Sequence, residues 1–204
     1  MCFLRHLPEA EAIETLERAL PFRDALVGVG LDSGERGNPP EKFREVFAHA
    51  RRIGLRCVAH AGEEGPPAYV TGALDVLKVE RIDHGVRSVE DPALMDRLAA
   101  ERMPLTVCPL SNLKLCGVKD LADHQLPQLL SHGLVAMLNS DDPAYFGGYL
   151  NANYLACFEA MPALGAQQAY VLARNSFEAS FVSAAQRAQW QAQLDTAFRA
   201  AAAA

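Results

Sequence analysis

The side chains best suited to chemistry fall in five short clusters: Asp32-Ser33-Gly34-Glu35, His60-Ala61-Gly62-Glu63-Glu64, His84, Ser111-Asn112 and Asp141-Asp142. The imidazole of His60, two small residues before Glu63, can offer a nitrogen to a metal while the carboxylate reaches the same space from the turn. Read alone, the pair is equally a packed histidine beside a solvated loop glutamate. His84, within Arg81-Ile82-Asp83-His84-Gly85, is either a turn-capping histidine or a base or oxyanion partner. Asp141 and Asp142 stand side by side after the apolar run 135–138, and adjacent carboxylates repel unless a cation or hydrogen-bond donor is near. A divalent metal on one and a ligand donor on the other relieves the repulsion. So does a helix cap, since Asp142-Pro143 readily opens a helix. His6, His49, His124 and His132 read as surface or packing residues.

Each cluster follows an apolar run of strand length, at 25–31, 55–59, 79–83, 104–108 and 134–139. Amphipathic stretches fill the gaps. Asn38 before Pro39-Pro40 predicts a cap for a helix carrying Phe43, Val46, Phe47, Ala50 and Ile53 and ending at Gly54. Asp91-Pro92 predicts another, with Leu94, Met95 and Leu98 on one face, and Gly133 ends a third just before the last strand. Strand, helix, strand in unbroken succession is the pattern of a parallel sheet with helices on its faces. In such a fold the carboxyl ends of the strands share one edge, so the five clusters converge there although they lie far apart in sequence. After Tyr149 the pattern is helical, with Ser183 as cap of a last Ala- and Gln-rich helix that frays into the tail 200–204.

Half of the residues are hydrophobic and 22% are charged, which excludes disorder, collagen and coiled coil. The apolar runs are far shorter than a membrane span of ~20 residues, and the first residues lack the pattern of a signal peptide, so a cytoplasmic protein without a membrane partner is expected. With 19 Lys+Arg against 25 Asp+Glu and no basic stripe, nucleic acid is not an expected partner; a small molecule is. Five cysteines with no CxxC pair argue against a disulfide framework or zinc ribbon, and Cys108 reads as a small buried residue at a strand end. Gly147-Gly148 lacks the helix-start context of a phosphate cradle.

Together, Val58-Ala59-His60-Ala61-Gly62-Glu63, Arg81-Ile82-Asp83-His84-Gly85, Cys108-Pro109-Leu110-Ser111-Asn112 and Asn139-Ser140-Asp141-Asp142-Pro143 resemble the metal-dependent adenosine and adenine deaminase family of the amidohydrolase superfamily. The stretch 108–116, CPLSNLKLC, is more similar to the adenine branch. The resemblance implies His60 and Asp141 as Zn2+ ligands, Glu63 as proton donor to a purine ring, and His84 as the group that orients or deprotonates the attacking water. It further implies that Asp142 hydrogen-bonds a ring nitrogen and that Gly34 contacts the purine edge. The implied reaction is hydrolytic deamination of adenine to hypoxanthine and ammonia, the zinc bringing the pKa of a water toward neutrality. The implied alternatives are a 6-aminopurine nucleoside such as adenosine as substrate, or a non-catalytic remnant or half-barrel that needs a partner chain.

The family opens with a His-x-His pair supplying two more zinc ligands, and this sequence contains no His-x-His. Residues 1–6 resemble the end of a third barrel strand. The expectation is therefore a single incomplete α/β domain over residues 1–204, a partial (β/α)8 barrel comprising about strands four to eight and the C-terminal helices, with a homo-oligomer open as its assembly.

Overall fold

A computed structural model describes residues 1–203 of the chain. They form two compact units, Met1–Leu105 and the part from Thr106 onward. In the first, strands β1 (Cys2–Leu4), β2 (Gly28–Asp32), β3 (Arg56–Ala61) and β4 (Arg81–His84) lie side by side in that order, with each adjacent pair parallel. Parallel neighbours need crossovers, and helices α1 (Glu9–Ala19), α2 (Arg44–Arg52) and α3 (Pro67–Gly72) supply them, with α4 (Pro92–Ala100) following β4. Leu16 of α1 and Val46, Phe47 and Ala50 of α2 are fully buried, and the Phe47 ring meets Phe3 edge-on at 5.9 Å. The glycines of β2 are needed for close approach: a Cβ on Gly28 would stand 2.6 Å from the Arg56 carbonyl oxygen.

All the predicted strands are present with shifted ends. The first starts at Gly28 rather than residue 25 because Leu20–Ala25 winds into 3-10 turns opened by Pro21. Arg23 fixes those turns by donating to the carbonyls of Ile53, Gly54 and Leu26. Asn38 does not cap α2. A 3-10 turn, Pro40–Phe43, comes first, and Glu9 of α1 reaches across to accept from the Glu45 and Val46 amides at 2.7 and 3.0 Å. The Asn38 amide donates instead to the Gly34 and Arg36 carbonyls. Gly54, at φ +77°, follows the end of α2 as expected, and Asp91 caps α4 by accepting from the Ala93 and Leu94 amides.

In the second unit β6 (Val135–Leu138), the neighbour in sheet order of β5 (Pro104–Val107), is buried at all four positions, and the Asn139 amide donates to the Val107 carbonyl at 2.9 Å. The helices are α5 (Pro109–Lys114), α6 (Leu126–Ser131), α7 (Pro143–Phe146), α8 (Leu150–Ala160), α9 (Ala166–Glu178) and α10 (Ala184–Ala202). Asn175 of α9 donates to the Ala136 carbonyl at 2.7 Å, and α10 packs on α9 through Tyr170 with Phe198 and Phe177 with Trp190. Ser183 caps α10, but the helix continues to Ala202 instead of fraying at residue 200, because alanine costs nothing in helix propensity; Ala204 lies outside the described residues.

His124, in the connection between α5 and α6, is 4% exposed. The Leu126 amide donates to its Nδ1 at 3.0 Å, which leaves Nε2 to carry the proton and donate to Asn112 Oδ1 at 3.2 Å. Burial pushes its pKa down to about 4. None of the five cysteines is in a disulfide: Cys2 and Cys116 are exposed, whereas Cys57, Cys108 and Cys157 are buried. Burial raises the thiol pKa to about 11 at Cys57 and about 12 at Cys157, and raises that of Cys2 as well. No helix among the described residues is long and apolar enough to cross a membrane.

Candidate active site

Parallel pairing sets His60 of β3 opposite Asp83 of β4, and Ala61 opposite His84. Both histidines therefore emerge at the carboxyl ends of neighbouring strands, and their rings meet with centroids 4.8 Å apart, tilted by 57°. His84 has φ +65° and is 1% exposed, and its Nδ1 lies 3.4 Å from Glu63 Oε1. The turn that brings Glu63 back over the strand end depends on Gly62, whose φ is +74° and whose Cβ would stand 2.8 Å from Val70 Cγ2. It is stitched to the β4 loop by hydrogen bonds from the Gly85 amide to the Ala61 carbonyl and from the Arg87 amide to the Gly62 carbonyl.

Carboxylates flank His60 on both sides. Its Nε2 is 3.7 Å from Asp32 Oδ1 and its Nδ1 3.6 Å from Asp83 Oδ2. Neither is hydrogen-bond distance, and Nδ1 is buried with no hydrogen-bond partner among the described residues. Buried polar atoms in native proteins are nearly always satisfied. Two touching imidazoles ringed by carboxylates, one with an unsatisfied buried nitrogen, form a donor set that fits a divalent metal. Asp32 itself is tied to its turn by the Ser33 amide, and Ser33 Oγ pairs with His6 Nδ1 at 2.7 Å. His6, exposed just after β1 as a surface residue, is thus hydrogen-bonded to the loop after β2. Gly34 sits exposed in the same loop, where an added Cβ would meet nothing within 4 Å.

The second unit carries the remaining predicted residues. Asp141 adopts φ +56°, uncommon for a residue with a side chain, and accepts from the fully buried Ser111 Oγ at 2.6 Å. Asp142 occupies the residue before α7 and its carbonyl accepts from the Tyr145 and Phe146 amides, but its exposed side chain makes no capping bond. The helix-cap reading of this carboxylate therefore fails. Ser111 acquires a partner that its position in the sequence did not reveal. The flanking role of Asp83 was also missed, although its signal was present: alternation along β4 puts Asp83 on the face that His60 occupies in β3.

The family profile described as "Adenosine deaminase" matches residues 1–197. Among curated proteins, the chain is 65% identical over 195 residues to an adenine deaminase of Cupriavidus necator, covering 96% of this chain and 55% of that protein. It is 62% identical over 199 residues to an adenine deaminase of Trichlorobacter lovleyi, covering 98% of this chain and 57% of that one. The chain thus spans about half the length of the curated relatives it matches. Among solved structures, the adenine deaminase from Arthrobacter aurescens superposes with a TM-score of 0.94 at 47% identity, over 97% of this chain and 60% of that one. A zinc-bound amidohydrolase from Burkhoderia ambifaria superposes at 0.91 and 27% identity, over 98% of this chain and 56% of that one.

Proposed function

The chain belongs to the adenosine deaminase family, with an α/β fold that is part of a (β/α)8 barrel, and from that premise we propose that it carries the larger share of a zinc-dependent site for hydrolytic deamination of adenine. The observation that carries the reading is the assembly of His60, Glu63 and His84 at the ends of β3 and β4. In the proposal both compact units belong to one barrel domain of a cytoplasmic enzyme. His60 and Asp141 hold the metal; two more ligands complete a four-coordinate set. Zinc, when bound, supplies a water acidified toward neutral pH.

The chain's own residues do the rest. Glu63, 12% exposed at its side chain, delivers a proton to a ring nitrogen of the purine, which makes the carbon bearing the amine electrophilic. His84 presents Nδ1 to Glu63, so its Nε2 is the atom that orients the water and takes its proton. Asp142, exposed and free of any capping duty, hydrogen-bonds a second ring nitrogen. Gly34, with open space around it, lets the purine edge approach the backbone. Ser111 fixes the rotamer of Asp141 through the bond to Oδ2. As water adds and ammonia leaves, adenine becomes hypoxanthine.

The test joins this chain to the part of the Cupriavidus necator relative that lies outside the match, loads the product with zinc and follows ammonia release. Adenine is expected to outcompete adenosine in kcat/KM, and Glu63→Gln to cost at least about a hundredfold in kcat. Preference for adenosine sinks the substrate assignment. Release from neither, in a folded zinc-loaded protein, sinks the enzyme reading.

A further inference from the structure

Below the His60–Glu63 turn lies a pair of charges that the chemistry does not touch. Arg5, just after β1, and Glu35, in the loop after β2, are 0% and 1% exposed, with Arg5 Nη1 3.7 Å from Glu35 Oε1. Burying two ions is costly, and at this distance they do not hydrogen-bond each other. Each bonds backbone instead. Arg5 Nη1 donates to the His60 carbonyl at 2.7 Å and Nε to the Asn38 carbonyl at 2.9 Å, while the Glu35 carboxylate accepts from the Gly65 amide. His60 and Gly65 bound the segment that carries both the imidazole and Glu63. Gly65 suits this arrangement, since a Cβ there would run into the Glu35 carboxylate and the Tyr69 ring. The same ring lies under the Arg5 guanidinium, 5.7 Å from its centroid.

We propose that Arg5 and Glu35 are positioning residues for the deamination site: a buried ionic clamp that fixes the backbone at both ends of the His60 to Gly65 segment and so holds His60 and Glu63 in register with His84. The proposal rests on the roles given to His60 and Glu63 above. A planar guanidinium can bond two carbonyls in fixed directions, which an ammonium cannot imitate. Glu35 supplies the opposite charge that makes burial of Arg5 tolerable, and its second oxygen is left to hold Gly65. Misplacement of a catalytic group by about 1 Å costs about a hundredfold in rate, so a clamp on the backbone of the catalytic segment acts on turnover without meeting substrate.

Amide exchange followed by mass spectrometry on the chain itself tests the clamp. In Glu35→Ala, peptides covering residues 60–65 are expected to exchange at least about tenfold faster, while those of α4, in the same unit, stay within about twofold. Glu35→Gln keeps an acceptor for the Gly65 amide and should restore most of the protection; Arg5→Lys should lie between. If Glu35→Ala does not fold, Arg5→Lys carries the comparison and must loosen residues 60–65 more than α4. Unchanged exchange at 60–65 in the folded variants, or an equal rise in α4, overturns the proposal. In the completed, zinc-loaded protein, Arg5→Lys should lower kcat for adenine about tenfold with little change in KM. A wild-type protein without turnover whose variants still show the selective exchange pattern would overturn the deaminase reading and leave the clamp standing. Full turnover with unmoved exchange would overturn the clamp alone.

Discussion

Burial acts on single side chains here with consequences that can be measured without any substrate. His124 is held neutral by its surroundings, with a folded pKa of about 4 against about 6.5 for the free side chain. Between those values the unfolded chain binds a proton that the folded chain refuses, so stability rises with pH across the window. The contribution is full above about pH 6.5, declines as the pH falls and levels off below about pH 4, a loss of about 3 kcal/mol. Urea midpoints measured from pH 7.5 to 4 should show this slope, and His124→Gln should flatten it by removing the titrating ring. An unchanged slope in that variant would assign the acid sensitivity to other groups. The buried Ser111 hydroxyl works at the same scale in the opposite sense, holding one carboxylate rotamer in a residue whose backbone sits at φ +56°.

Among elements, α2 shows how a helix can be started by a residue from a different helix. An asparagine before two prolines is a common start signal and predicts the cap at Asn38, and the helical periodicity from Phe43 onward matches α2. Glu9 is the group that meets the free amides at its start, from α1 and 36 residues from Glu45. Glu9→Ala should therefore speed exchange of the Glu45 and Val46 amides and cost about 1 kcal/mol, whereas Asn38→Ala should leave those two amides unmoved. Equal effects of the two substitutions would refute this assignment. The strands are legible because each apolar run ends at a cluster of polar residues, although the fold buries several of them, Glu35, His84 and Ser111 among them. The largest displacement with a visible cause is the start of β2, at Gly28, after the turns that Arg23 holds.

Over the whole molecule, the residues that could do chemistry are legible because each follows a run of strand length, a regularity that spacing alone exposes. His60, Glu63, His84 and Asp141 all belong to strand-end clusters. The supporting groups were not legible. Arg5 and Glu35 lie 30 residues apart and belong to no motif, and their pairing is set by which loops the sheet order places together. Nothing in a linear sequence marks a charge as buried. The same holds for Ser111, whose partner Asp141 is also 30 residues away.

The distribution of thiols turns the molecule into its own clock. Two of the five cysteines, Cys2 and Cys116, are exposed in the folded state, and three are enclosed. A short pulse of alkylating reagent should add two labels to the native chain, at Cys116 before Cys2, whose pKa burial raises. Cys57 is a probe of the first unit and Cys108 and Cys157 of the second, so the order in which the third, fourth and fifth labels arrive in rising denaturant reports which core opens first. Intact mass alone counts the labels, with no engineered reporter and no change to the protein.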